Sequence, residues 1–200
     1  DAHLVRLRGE LAADPTLDGI LASIVRDGDL DDRELKATMA LLLGAGFETT
    51  VNLIGNGIVA LLRHPEQLAY LRENPEGWPN AVEEILRYDS PVQVTGRVAT
   101  ETVEFEGHTL PAGSMAVLLL GGANRDPAVF DQPDVFDICR ANAREHVAFG
   151  SGIHVCLGAS LARMEGVVAL QSLFELFPEL TLAADPTPGK HVNLHGFGSL

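Results

Sequence analysis

Cysteine is scarce. The 200-residue chain holds two, too few for a disulfide framework, which points to a reducing, intracellular setting. Basic residues are also few: 14 Lys and Arg stand against 28 Asp and Glu, a formal net charge of −14. A surface that acidic repels phosphate backbones, so no nucleic-acid partner is expected. Long apolar runs are missing too. The longest uninterrupted ones, residues 39–47 and 115–123, fall well short of the roughly 20 apolar residues that span a bilayer. No membrane crossing is expected. There is no signal-peptide pattern, internal repeat or low-complexity stretch. Apolar residues, at 46 % against 21 % charged, suffice for a sizeable core. The expectation is a soluble, acidic, cytoplasmic protein of one domain, or a large piece of one.

Asp29 to Asp32 offer N-caps for a long helix. Leu35, Met39, Leu42, Gly46, Leu53, Gly57 and Leu61 recur at helical spacings, and His64-Pro65 stops the pattern near Arg63. At 1.5 Å per residue, a helix over 32–63 is roughly 48 Å long. Apolar on most faces through its middle, it reads as a central helix surrounded by other structure. Shorter helices are expected over 65–72 and 79–88, with Pro79 in a first turn. Residues 91–120 alternate Val, Thr and Phe between Gly and Pro, the pattern of short strands and hairpins. Residues 124–144, rich in Asp and Pro without periodicity, read as an ordered meandering loop. A second strong helix follows residue 158 up to Pro178, and 181–200 reads as terminal β-structure. The fold class is mainly α with a minor β component.

Three constellations interrupt this scaffold. In Phe149-Gly-Ser-Gly-Ile-His-Val-Cys-Leu-Gly158, Gly150, Gly152 and Gly158 let the backbone turn sharply or lie close to a flat ligand. Cys156 sits where a helix begins, and backbone N–H groups there favour a thiolate. A Walker-A loop would need Lys, and a dinucleotide loop would need Gly at Val155. A phosphatase-type loop would need an Arg one position away from Arg163. Zinc remains a weaker alternative, with Cys139, His146, His154 and Cys156 as ligands on paper but no paired spacing. A buried structural cysteine and a thiolate for iron, haem iron included, both stay open. Glu84 and Arg87 share a helix face, flanked by apolar residues that suggest burial with further partners. Ala45-Gly-Phe-Glu-Thr-Thr50 places an acid and two hydroxyls in the apolar centre of the long helix, with Gly44 and Gly46 opening space beside it. A carboxylate there needs a purpose or a partner, and proton delivery is one such purpose.

Together these segments resemble the cytochrome P450 family in its soluble bacterial form. The cysteine loop matches F-G-x-G-x-H-x-C-x-G at each fixed position. Ala45-Gly-Phe-Glu-Thr49 matches A-G-x-[D/E]-T, and Glu84-Ile-Leu-Arg87 matches E-x-x-R. Asn124-Arg-Asp-Pro127 and Phe136-Asp-Ile-Cys-Arg140 fit the stretch between them. The resemblance covers essentially the whole chain and corresponds to the C-terminal half of the family's domain, so residues 1–200 are expected to form a single partial domain.

The resemblance implies a P450-like fold around haem b, with Cys156 as axial thiolate of the haem iron. His154 and Arg97 resemble the residues that bond haem propionates, and Phe149, Gly150, Gly152 and Gly158 shape the loop against the haem. Ala45 and Gly46 would leave room for dioxygen, and Glu48 and Thr49 would deliver protons to it. Glu84 and Arg87, with Arg140, resemble a buried structural triad. Val92, Val94, Thr95 and Phe197 are expected to touch substrate. The implied reaction is monooxygenation (hydroxylation or epoxidation) of a small, partly apolar organic molecule. Electrons would come from NAD(P)H through a ferredoxin- or flavodoxin-type donor. Arg140, Arg144 and Arg163 against Glu145 and Glu165 leave the 139–165 segment slightly positive, compatible with an acidic donor. The alternative is a non-catalytic haem-thiolate protein or an inactive truncated fragment.

Overall fold

The computed structural model describes residues 2–14, 16, 19–28, 30–189, 191 and 193–199. Asp29, Lys190, Val192 and Leu200, which fall within the sequence expectations, lie outside the described residues. The chain divides into two compact units, Asp1–Glu48 and Thr49–Leu200.

In the first unit, helices α1 (Ala2–Ala13) and α2 (Ile20–Asp27) pack together ahead of α3 (Asp32–Arg63). Neither α1 nor α2 is among the sequence expectations. α3 starts where a reciprocal cap is available. Asp31 Oδ1 accepts the Arg33 and Glu34 amides at 2.8 Å, while Glu34 Oε2 accepts the Asp31 amide at 2.9 Å, so free amides of the first turn are satisfied on both sides. Leu11, Ala22, Leu35 and Met39 are buried.

The second unit holds the remainder of α3, then α4 (Pro65–Glu73), α5 (Trp78–Tyr88), strands β1 to β4, the short α6 (Leu120–Ala123), α7 (Ala159–Leu176) and a terminal strand pair. β1 (Val94–Val98) pairs antiparallel with β4 (Met115–Leu119), and β2 (Val103–Phe105) with β3 (His108–Leu110). The β2–β3 connection is a two-residue turn in which Glu106 and Gly107 both take positive φ, 48° and 78°, the backbone twist that a tight hairpin favours. β5 (Thr187–Pro188) pairs with β6 (Phe197–Ser199). Residues 124–144 form the expected meander, which ends in a 3-10 turn at Ala143–Glu145.

The core lies where α3, α5 and α7 cross. Leu53, Leu61, Val82, Ile85, Leu170 and Phe174 are buried together, and the Trp78 and Phe174 rings stack at 6.2 Å between centroids. Close approach depends on missing side chains: a Cβ at Gly57 would lie 2.8 Å from Leu170 Cδ1 and 3.1 Å from Ile85 Cδ1. Gly166 of α7 meets Leu53 and Val82 in the same way, at 3.2 Å. Thr50 adds a polar tie by donating to Glu165 Oε2 at 3.2 Å.

By length and composition α3 could cross a bilayer, yet its C-terminal half is built as a core helix, with Leu53, Val59, Ala60 and Leu61 buried. The expectation of a helix surrounded by structure holds for that half. Leu41, Leu43, Phe47 and Val51, in its middle, are 52 % to 76 % exposed: among the described residues nothing buries them.

Candidate functional site

α5 carries the most constrained polar cluster. Its apolar face sinks into the core and takes Glu84 and Arg87 with it, both fully buried. Arg87 grips Glu84 bidentately, Nε to Oε2 at 2.7 Å and a terminal nitrogen to Oε1 at 2.8 Å. Arg140 joins from the meander, its Nε 3.2 and 3.3 Å from the two Glu84 oxygens. Further guanidinium hydrogens of both arginines donate to backbone carbonyls. Arg87 serves Asn124, Pro133 and Val135, and Arg140 serves Asp131, Gln132 and Val135. Buried charges persist only when every donor and oxygen is matched, and here the matching partners are the loop's own carbonyls. The cluster thereby fixes a meander that has no strand or α-helix among its described residues to hold it.

That loop delivers the chain to residues 149–158. The Cys156 amide donates to the Phe149 carbonyl at 2.8 Å, closing the loop, and the Cys156 carbonyl accepts the Ala159 amide at 3.3 Å as α7 begins. Gly150 and Gly152 take φ of 70° and 67°, a backbone that side-chain-bearing residues rarely adopt. Gly158 is the N-cap of α7. Cys156 is exposed, so the reading of a buried structural cysteine does not hold. Beside it Ile153, Val155 and Leu157 are 96 %, 57 % and 78 % exposed. A soft sulfur at a helix start, flanked by outward-facing apolar side chains on a glycine-opened backbone, suits a flat apolar group with a thiophilic metal. The donor set therefore fits haem.

Zinc does not fit. His146 is turned inward to Glu83 at 3.0 Å, and no three His, Cys, Asp or Glu side chains among the described residues come together to hold a metal ion.

The other expected site residues fall in three places. Arg97 is exposed on β1, with a terminal nitrogen 2.8 Å from the Gly96 carbonyl and 3.3 Å from Thr95 Oγ1, and His154 is exposed in the 3-10 turn Gly152–His154. Val92, Val94 and Thr95 run beside the chain end: Val92 bridges Leu194, and the His195 amide donates to the Pro91 carbonyl at 2.8 Å. The Phe197 ring meets the His195 ring edge-on at 5.8 Å, and its strand pairs with Thr187–Pro188. Ala45, Gly46 and Glu48 belong to the first unit, and Thr49 opens the second. A Cβ at Gly44 or Gly46 would meet nothing within 4 Å, on a stretch of α3 whose Leu43 and Phe47 are exposed.

Several polar anchors escaped the sequence reading. Glu83 is buried and accepts from Arg144, Arg163 and His146. Burial would raise its carboxyl, but the hydrogen bonds from His146, Arg163 and Arg144 outweigh that and hold it at about 2. The expected surplus of positive charge is therefore smaller than a residue count gives, since Arg140 is committed to Glu84, and Arg144 and Arg163 to Glu83. Asn124 donates to Ser90 and accepts the Val147 amide, and Gln67 brackets Phe136 and Ile138. Two adjacent acids on a mostly apolar helix were the available signal for Glu83. In the sequence Asn124 marks only the start of the 124–127 stretch, and Gln67 gives no signal.

A family model described as cytochrome P450 matches residues 5–76 and 79–193. A Mycobacterium tuberculosis relative bearing a cytochrome P450 name is 53 % identical over 187 residues, 92 % of this chain and 42 % of that protein. The 6-deoxyerythronolide B hydroxylase of Saccharopolyspora erythraea is 47 % identical over 173 residues, 84 % of this chain and 43 % of that protein. Among solved structures, P450BioI in complex with acyl carrier protein ligated with hexadec-9Z-enoic acid superposes with a TM-score of 0.93 at 45 % identity. It covers 100 % of this chain and 52 % of its own. The chain thus spans less than half the length of these curated relatives, and its cysteine loop, buried Glu84 cluster and long α3 lie within the matched stretch. This chain belongs to the cytochrome P450 family.

Proposed function

We propose that this chain is the haem-holding part of a monooxygenase. The observation that carries the reading is the 149–158 loop, which presents an exposed Cys156 thiol between the Phe149 carbonyl contact and the start of α7. Haem held there would supply dioxygen activation, with one oxygen atom entering an organic substrate and the other, with two electrons and two protons from the donor and solvent, leaving as water. Cys156 would hold the haem iron through its thiolate, Phe149, Gly150, Gly152 and Gly158 would shape the loop that receives the group, and Arg97 and His154 would pair with its carboxylates. Ala45 and Gly46 keep the space beside α3 open, while Glu48 holds a proton and Thr49 Oγ passes it toward dioxygen. Glu84, Arg87 and Arg140 are structural and keep the loop region in place.

Val92, Val94, Thr95 and Phe197 offer a mixed apolar and hydroxyl surface, which suits a small, partly apolar substrate. The names of two relatives, a 6-deoxyerythronolide B hydroxylase and a P450 in complex with an acyl carrier protein ligated with hexadec-9Z-enoic acid, support an organic substrate. Electrons come from NAD(P)H through a ferredoxin- or flavodoxin-type donor, in the cytoplasm. Titration with haem is expected to saturate at one equivalent with a thiolate-type absorption spectrum, lost in Cys156→Ser. Weak, non-stoichiometric uptake by both proteins would contradict the assignment. Thr49→Ala is expected to raise NAD(P)H consumed per product formed, and an unchanged ratio would remove Thr49 from proton delivery.

A further inference from the structure

Glu83 is buried one residue before Glu84, yet it belongs to a separate network. Its Oε1 accepts Nε of both Arg144 and Arg163 at 2.8 Å, and its Oε2 lies 3.0 Å from His146 Nε2. The Ala148 amide donates to His146 Nδ1 at 3.1 Å. With Nδ1 accepting, the ring proton sits on Nε2 and donates to Glu83. Both partners then converge on one aromatic ring. The Arg163 guanidinium lies over Phe149, 4.6 Å from its centroid, and the His146 ring packs 5.7 Å from it. The Phe149 carbonyl in turn receives the Cys156 amide at 2.8 Å.

We infer that Glu83 is a positioning residue: through His146 and Arg163 it clamps Phe149 with two ring contacts, and through the Phe149 carbonyl it fixes the backbone of Cys156. The thiolate role of Cys156 is taken from the proposed function; the clamp is a statement about this chain's own contacts. A carboxylate that accepts three donors at once fixes their directions more tightly than any pair alone. Neither His146 nor Arg163 touches Cys156 among the contacts described, so the effect passes through Phe149.

Glu83→Ala and Arg163→Gln test this, with Leu71→Ala in α4 as a core variant remote from the loop. Arg163→Gln is the milder change, since its side chain is 31 % exposed, and it stands in if Glu83→Ala does not fold. The first readout is amide hydrogen exchange at Cys156 without haem. Each clamp variant is expected to exchange about tenfold faster than Leu71→Ala compared at equal loss of Tm, the size of one lost charge-assisted hydrogen bond. The second is the red-shifted absorption band of the reduced, carbon monoxide-bound holoprotein, expected to decay faster in the clamp variants at the same matched Tm. Exchange and decay no faster than in Leu71→Ala would overturn the clamp. A parent protein with no red-shifted band but accelerated exchange in the variants would overturn the thiolate reading and leave the clamp standing.

Discussion

Arg87 shows how one side chain can hold a loop. Five donors leave in a fixed planar fork, two to Glu84 and the others to the Asn124, Pro133 and Val135 carbonyls. Lysine cannot reproduce that geometry. Arg87→Lys is therefore expected to lower unfolding stability by about 3–5 kcal/mol, the range for leaving a buried carboxylate incompletely paired. Denaturant titration measures this, and a loss below about 1 kcal/mol would show that the cluster is not structural. His195 gives a pH signature at the same scale. Its hydrogen bond to Asp89 at 3.0 Å raises it above its ordinary 6.5, against the opposing effect of burial. A raised cation contributes stability fully below about 6.5, and that contribution disappears as pH rises through the folded value. Amide exchange in the turn at 193–197 is expected to accelerate above pH 6.5 in the parent more than in His195→Gln. Parallel pH profiles would remove the pair from the account.

At the scale of the element, α3, α5 and α7 approach closely because Gly57 and Gly166 omit side chains at the crossings. Gly57→Val would drive methyls into Leu170 and Ile85, and overpacking of this kind costs about 1–3 kcal/mol. Thermal unfolding is expected to show a clear drop in Tm, and an unchanged Tm would mean that the helices separate without penalty. The elements themselves were largely legible. The periodicity that ends at His64-Pro65 gives α3 its observed bounds, and Pro79 lies in the first turn of α5. α1 and α2 left weaker traces, the one short of a clear apolar stripe and the other only eight residues long. The cysteine loop and the Glu84 and Arg87 spacing could be read because local sequence sets local geometry there. Glu83, Asn124 and Gln67 could not, because their partners lie 23 to 80 residues away and only the folded chain brings them together.

For the whole molecule, charge and apolar surface work together. Glu83 is held at about 2 against an ordinary 4.5, so its contribution is present above pH 4.5 and is lost as pH falls toward 2. Acid unfolding in that window is expected to depend on Glu83, and Glu83→Gln should flatten the stability curve between pH 4.5 and 2. An equally steep curve in the variant would assign acid sensitivity elsewhere. The exposed Leu41, Leu43 and Phe47 of α3, and Ile153 and Leu157 beside Cys156, are apolar surfaces of the kind that proteins cover with ligands or further structure. In the proposed function, haem covers the cysteine loop.

The most direct test of that assignment is the absorption spectrum of the reduced, haem-loaded protein under carbon monoxide, recorded beside Cys156→Ser. A strongly red-shifted Soret band in the parent, absent from a variant that still binds haem, is the predicted result. A red-shifted band that survives in Cys156→Ser, or a haem-loaded parent without one, would contradict Cys156 as the axial thiolate.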